Sequence, residues 1–421
     1  MEQSNKNAIY RRGTVMLFKK NVVIPEYYEF FNSVKVISGY KALETIPFEL
    51  SRLGAKRPII ITDKGVAQAG LIKHVVDSFG GTDTVIGAVF DETPQDSSNV
   101  VVNQIAAIYR ANNCDSIIAV GGGSAIDTAK GVNIVITENT DDLLKFMGNY
   151  RLNKPMKPFV VIPTTAGTGS EVTMVAVIAN PEKNVKMVFT SDLLLPKFAV
   201  LDPRMTVSMP PKITAATGMD AFTHSVEAFI GSQKNPISDA FAAAAMELIR
   251  DNILTAVKDG SNKDVRLAMA NAALLAGLAF SNSMVGIVHA IAHATGGVCH
   301  VPHGIANSIL LPYGLEFYIG KSDKSPKTKE YIENLLLHVA GPEVYVQTPP
   351  AERAVKSIAA IRNITSELKK LCGLPVRLSE AGVTEDKLES IANTSLNDAA
   401  ISMSPVEVSF EEALGVLKAA Y

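Results

Sequence analysis

The sequence predicts an α/β domain built on a parallel sheet, followed by an all-helical domain. Three observations predict it. Short β-branched runs alternate with helical patterns through the first half of the chain. A glycine-rich turn joins one of those runs to a helix. After about residue 205 strand signals nearly vanish, and long Ala-, Leu- and Met-rich segments take over.

The strands are read at Pro58–Thr62, Thr84–Phe90, Ser116–Val120 and Phe159–Ile162. Each run is too apolar for a strand with one wet face, which suits a sheet covered on both sides. Helical patterns separate them at Lys64–Phe79, Val100–Asn112 and Ala125–Ile136. The second half carries helices at Ser238–Val257, Lys263–Phe280, Thr328–Val339 and Ala351–Cys372. Pro203, Pro210 and Pro211 mark the junction. The expected organisation is an extension at 1–28, an α/β domain at 29–205 and a helical domain at 206–421.

Composition narrows the function. The 421 residues are 47 % apolar and 19 % charged, an ordinary globular balance. With 40 basic and 42 acidic residues the net charge is −2, so no excess of positive charge exists to bind nucleic acid. Cys114, Cys299 and Cys372 are too few and too scattered for a disulfide framework or a thiolate zinc cluster. Neither a secretory signal nor a membrane-spanning run is evident. The scattered cysteines fit a reducing compartment.

The strand at Ser116–Val120 runs into Gly121, Gly122, Gly123 and Ser124, and a helix follows. Glycines let backbone approach a bulky anion, and a helix N-terminus offers unpaired N–H groups to it. That is how Rossmann-like domains hold a pyrophosphate, so a dinucleotide site is expected here. Asp63 ends an earlier strand. A carboxylate there suits a ribose 2′-hydroxyl and repels a 2′-phosphate, which favours NAD over NADP, and it equally suits a helix cap. A second polar turn, PTTAGTGS at 163–170, places Thr164 and Thr165 after the next strand.

Four of the seven histidines lie between 289 and 303. Asp220 and His224 are four apart, and so are His289 and His293, which puts each pair on one helical face. His303 follows Pro302. One carboxylate with several imidazoles suits a divalent metal, and oxygen and nitrogen donors without thiolate do not choose between Fe²⁺ and Zn²⁺. Glu227 shares the stripe of Asp220 and His224 and is read as a group supporting the ligands, or one on the helix surface, rather than as a ligand.

Taken together, TDKG at 62–65, GGGSAIDTAK at 121–130, PTTAGTGSEVT at 163–173, GMDAFTH at 218–224 and HAIAHATGGVCHVPHG at 289–304 resemble the iron-containing (group III) alcohol dehydrogenases. The resemblance runs from about Phe31 to the C-terminus. It implies the architecture shared with dehydroquinate synthase, with a metal between the two domains, iron favoured over zinc. It implies Asp220, His224, His289 and His303 as metal ligands and His293 as a nearby proton relay. Asp63, Gly121, Gly122, Gly123, Ser124, Thr164, Thr165 and Lys186 would line NAD, and Phe280 the substrate pocket. The implied reaction moves a hydride between a short primary alcohol or diol and the nicotinamide, in a homodimer or larger homo-oligomer. Such proteins are cytoplasmic, sometimes inside bacterial microcompartments.

Pro94-Gln95-Asp96 and Ser404-Pro405-Val406 depart from the family's usual Pro-Asn-Pro and Asn-Pro-Arg. The rival activities on this fold are a zinc polyol dehydrogenase and a hydroxyacid–oxoacid transhydrogenase. Dehydroquinate synthase chemistry would need basic residues for a phosphate, and the metal-flanking segments have none. A purely structural metal protein leaves the glycine turn unexplained.

Overall fold

The computed structural model describes residues 24–183 and 185–421. Most of the 1–28 extension therefore lies outside the described residues. In chain order the first elements are β1 (Lys35–Ser38), α1 (Ile46–Arg52), β2 (Pro58–Ile61), α2 (Lys64–Gln68), α3 (Leu71–Asp77), β3 (Ala88–Phe90) and α4 (Asn99–Ala111). They continue as β4 (Ser116–Gly121), α5 (Gly123–Glu138), β5 (Gly148–Asn149), β6 (Phe159–Pro163), β7 (Val175–Asn180), β8 (Val185–Thr190) and β9 (Phe198–Leu201). Only helices follow among the described residues. They begin with α6 (Pro211–Ile230), α7 (Pro236–Lys258), α8 (Lys263–Phe280), α9 (Ile287–Cys299) and α10 (His303–Gly320). The set closes with α11 (Pro326–Ala340), α12 (Pro342–Gln347), α13 (Pro350–Cys372), α14 (Leu388–Ser395) and α15 (Phe410–Ala420).

Six strands form a parallel sheet in the order β1-β9-β6-β4-β2-β3. Alternate residues enter two cores. Ile59, Ile61, Ile117 and Val161 face α4 and α5, while Ile60, Ile118, Val120 and Val160 face α1 and α3. This two-sided burial is why the strands read as unbroken apolar runs. From β2 the chain moves outward to β3 and then returns to β4 on the other side of β2. Such a reversal opens a crevice at the carboxyl ends of β2 and β4, where Asp63 and the glycine turn lie.

Three local expectations need correction. The helix expected at Lys64–Phe79 is two helices, because Gly70 adopts φ +74 and ends the first. The strand expected at Thr84–Phe90 is regular only over Ala88–Phe90: Val85 and Gly87 N–H donate to the Lys56 and Pro58 carbonyls, but Pro58 has no N–H to return a bond. The antiparallel hairpin β7–β8, joined by β5 in a small second sheet, was not anticipated. Its signal is the alternation of buried Ala176, Ile178, Met187 and Phe189 with more exposed neighbours.

The helical half packs around one large core that includes Met219, Phe222, Ile249, Ile291 and Leu311. No helix among the described residues is long and apolar enough to cross a membrane.

Candidate active site

The glycine turn has the backbone expected of it. Gly122 is the N-cap of α5 in an extended conformation, and the helix starts at Gly123. The second polar turn lies against it. Thr164 N–H donates to the Gly121 carbonyl at 3.1 Å. A Cβ on Gly122 would stand 3.3 Å from the Thr165 side chain, and one on Gly123 would stand 3.1 Å from Thr168. Lys130, buried on α5, ties the two turns together by donating to the carbonyls of Ser170, Thr173 and Val175.

Asp63 fills one of the two roles foreseen for it, the helix cap. Its Oδ1 accepts the Val66 N–H at 3.0 Å and caps α2. Its Oδ2 faces Gly121, where an added Cβ would lie 3.4 Å away. Lys186, on β8, lines one cavity with Ser124, Asp127, Val177 and Asp96. The Asp96 carboxylate meets the Lys186 ammonium at 3.3 Å.

The joint between the halves is built by close backbone approaches. A Cβ on Gly169 would lie 2.6 Å from Gly277 Cα on α8, and one on Gly167 would lie 2.7 Å from Thr217 on α6. Because only glycine allows these distances, the polar turn that follows β6 rests directly on the helix that carries Asp220 and His224.

Asp220, His224, His289 and His303 converge, with one ligand atom from each lying within 4.8 Å of the others. Asp220 Oδ1 is 3.3 Å from His303 Nε2 and 4.0 Å from His289 Nε2. His289 Nε2 and His224 Nδ1 are buried and have no hydrogen-bond partner. Buried polar atoms left without partners are costly, and imidazole nitrogens gathered around a carboxylate fit a cation. Phe280 stacks on the His224 ring with centroids 4.1 Å apart. His293 stays outside the cluster, with its ring 5.1 Å from that of His303.

Three further residues hold these side chains. Glu227 Oε2 accepts from His289 Nδ1 at 2.5 Å, as its place on the stripe suggested. That bond leaves the lone pair on Nε2, facing the cluster. Asp398 Oδ2 accepts from His293 Nδ1 at 2.8 Å, and Asn307 Nδ2 donates to Asp220 Oδ1 at 2.7 Å. Sequence reasoning missed Asp398 and Asn307. The i,i+4 spacing of Asn307 after His303 is the one local signal for the latter.

Electrostatics match the geometry. Burial pushes His303 down to about 4 and drives His289 well below the usual imidazole range, so both are neutral near pH 7. Burial acts to raise Asp220, but attraction to His224, His303 and His289 as they take up protons, with the Asn307 hydrogen bond, outweighs that and holds it below the usual carboxylate range. Burial lifts Glu227 to about 7 against the pull of three backbone N–H groups.

A crevice at the carboxyl ends of a parallel sheet, facing a buried carboxylate–imidazole cluster, is the arrangement of a metal- and NAD-dependent oxidoreductase. The family model for iron-containing alcohol dehydrogenase matches residues 33–203, and the model for the C-terminal part of the Fe-containing alcohol dehydrogenase family matches 214–421. Alcohol dehydrogenase 4 of Saccharomyces cerevisiae is 34 % identical over 91 % of this chain and 96 % of its own length. An NAD-dependent methanol dehydrogenase of Bacillus methanolicus is 33 % identical over 92 % of this chain and 98 % of its own. The crystal structure of a 1,3-propanediol oxidoreductase superposes with a TM-score of 0.87 at 34 % identity, covering 94 % of this chain and all of that one. The chain belongs to the iron-containing alcohol dehydrogenase family.

Proposed function

We propose that this enzyme interconverts a short primary alcohol or diol and its aldehyde, with Asp220, His224, His289 and His303 holding one divalent metal, Fe²⁺ in preference to Zn²⁺. The observation that carries the reading is the convergence of Asp220, His224, His289 and His303, with His289 Nε2 buried, unpartnered and 4.0 Å from Asp220 Oδ1. A divalent cation bound there supplies positive charge opposite an alcohol oxygen, and NAD supplies the hydride acceptor. The chain's own groups do the rest. Gly121, Gly122, Gly123 and Ser124 receive the pyrophosphate at the start of α5, with Thr164, Thr165 and Lys186 beside them. Asp63 Oδ2 meets the ribose hydroxyls. Phe280 walls the substrate against His224 and excludes water. His293, with its side chain 45 % exposed and its Nδ1 bonded to Asp398, relays the alcohol proton to solvent through Nε2.

The cleft lies between the domains assigned to 29–205 and 206–421. The family resemblance supports a cytoplasmic homo-oligomer of at least two chains. Sedimentation of the purified protein tests the assembly.

The test of activity is anaerobic purification, metal analysis, and NADH formation from ethanol, 1-propanol, 1,2-propanediol and 1,3-propanediol. About one iron per chain, with NAD-linked turnover that a chelator abolishes, supports the proposal and ranks the substrates. Bound NAD without net NADH formation points instead to the transhydrogenase. Absence of any metal refutes the ligand set.

A further inference from the structure

We propose that Asn307 is a positioning residue for the metal centre: its side-chain amide holds the Asp220 carboxylate in place for the metal. The inference rests on the ligand set proposed above and adds a residue to it.

Asn307 lies one turn after His303 on α10 and is fully buried. Its Nδ2 donates to Asp220 Oδ1 at 2.7 Å and lies 3.0 Å from His303 Nε2, whose single lone pair is left for the metal. The amide therefore ties α10 to Asp220 on α6. Asp220 is buried, and Asn307 is the one side chain among the described residues that donates to it. A buried carboxylate without such a donor is free to turn away from its neighbours, and it is left badly solvated.

The contact depends on a tight crossing of α10 and α6. A Cβ on Gly304 would fall 2.3 Å from the Ala216 carbonyl oxygen and 3.4 Å from Asp220 Cβ. Glycine at 304 lets α10 settle against α6, and that approach brings Asn307 within reach of Asp220. His303, Gly304 and Asn307 thus act as one unit: a ligand, the space to bring it close, and the donor that fixes its partner.

The Asn307 oxygen points elsewhere. Oδ1 is buried and has no hydrogen-bond partner. The amide thus has two possible roles, as donor through nitrogen or as an extra metal ligand through oxygen. The short contact of Nδ2 with Asp220 Oδ1 assigns it the donor role. An oxygen in that place would face the Asp220 carboxylate with no proton between them.

Asn307→Asp separates these roles, because it keeps the shape and an oxygen and loses the donor. Asn307→Ser keeps a small donor and serves as the milder variant if the aspartate substitution impairs folding, which thermal melting of each variant checks. Metal-free protein is titrated with Co²⁺, following the visible absorption bands of the bound ion, and affinity is measured by competition with a chelator. Partners of metal ligands typically contribute about 10- to 100-fold in affinity, so Asn307→Asp is expected to weaken binding by that factor and to shift the Co²⁺ bands. Asn307→Ser is expected to fall between it and the parent protein. Unchanged or tighter Co²⁺ binding in a folded Asn307→Asp protein overturns the donor role. The parent protein and His289→Ala serve as controls: if the parent takes up no Co²⁺, or His289→Ala takes it up undiminished, the ligand set itself is wrong. If both controls behave and Asn307→Asp is still indistinguishable from the parent, the fault lies with the Asn307 assignment alone.

Discussion

The Glu227 carboxylate and the His289 ring meet at 2.5 Å across 62 residues of sequence. The same carboxylate accepts the N–H groups of Val288 and His289 at the start of α9. Glu227 therefore orients both the ring and the helix that carries it. Glu227→Gln keeps the shape and removes the charge. It should lower metal affinity by about 10- to 100-fold, read by chelator competition, while the fold is retained.

His289 and His293 are predicted to part company under mutation. His289→Ala should remove metal and turnover together. His293→Ala should slow turnover by about 10²- to 10⁴-fold with near-normal metal content, as expected for loss of a proton relay. Metal analysis beside steady-state kinetics separates the two outcomes, and metal loss from His293→Ala would make that residue a ligand.

Asp63 should show two separable effects. Removing its cap on α2 by Asp63→Ala should cost about 0.5–2 kcal/mol of stability, read by denaturant unfolding. The same change should also relax discrimination against NADP, because the carboxylate that repels a 2′-phosphate is gone. A stability loss with unchanged NAD/NADP preference would leave the residue a cap alone.

The joint at Gly169 and Gly277 has no room for a methyl group. A Cβ on Gly277 would lie 2.8 Å from a Val172 methyl carbon and 2.9 Å from the Gly169 oxygen. Gly277→Ala should destabilise the protein by about 1–3 kcal/mol, since forced overpacking shifts backbone. It should also lower cofactor affinity, because the turn that it displaces packs against the glycine turn. A thermal melt and NADH fluorescence titration measure the two.

Glu171 offers a pH signature. It is buried, and burial raises it to about 7 despite the nearby Lys130 charge. Its folded value exceeds its unfolded one, so the folded state binds the extra proton between roughly pH 4.5 and 7. Its contribution is full below that window and is lost as pH rises through 7. Glu171→Gln removes the effect. The variant's stability relative to the parent should rise across that window, reach on the order of 1–3 kcal/mol, and level off above it. Melting temperatures of both proteins from pH 4.5 to 8 test this.

Much of this protein is written locally. A strand buried on both faces must be apolar throughout, so the three runs around Ile60, Ile118 and Val161 announce a covered parallel sheet, whereas the edge run at 84–90 leaves Val85 and Val89 exposed. A dinucleotide turn needs glycine where the backbone meets an anion, so Gly121, Gly122 and Gly123 are visible in one dimension. Residues four apart share a helical face, so Asp220 with His224 and His289 with His293 could be paired by counting. All three signals lie within one or two turns of chain.

The tertiary structure decided what lies beyond that range. Asp398 reaches His293 across 105 residues and Asn307 reaches Asp220 across 87. A polar side chain on a helix reads the same whether it meets water or a neighbouring imidazole, so neither pairing has a sequence period. The β7–β8 hairpin went unread because its strands are half-buried and carry Lys186 on the open face. Which partner each of these residues meets depends on how closely two helices or two turns can approach. For Asn307 and for the turn after β6 that distance is set by glycines at 167, 169, 277 and 304, whose missing Cβ atoms gain meaning only when the opposing backbone is in place.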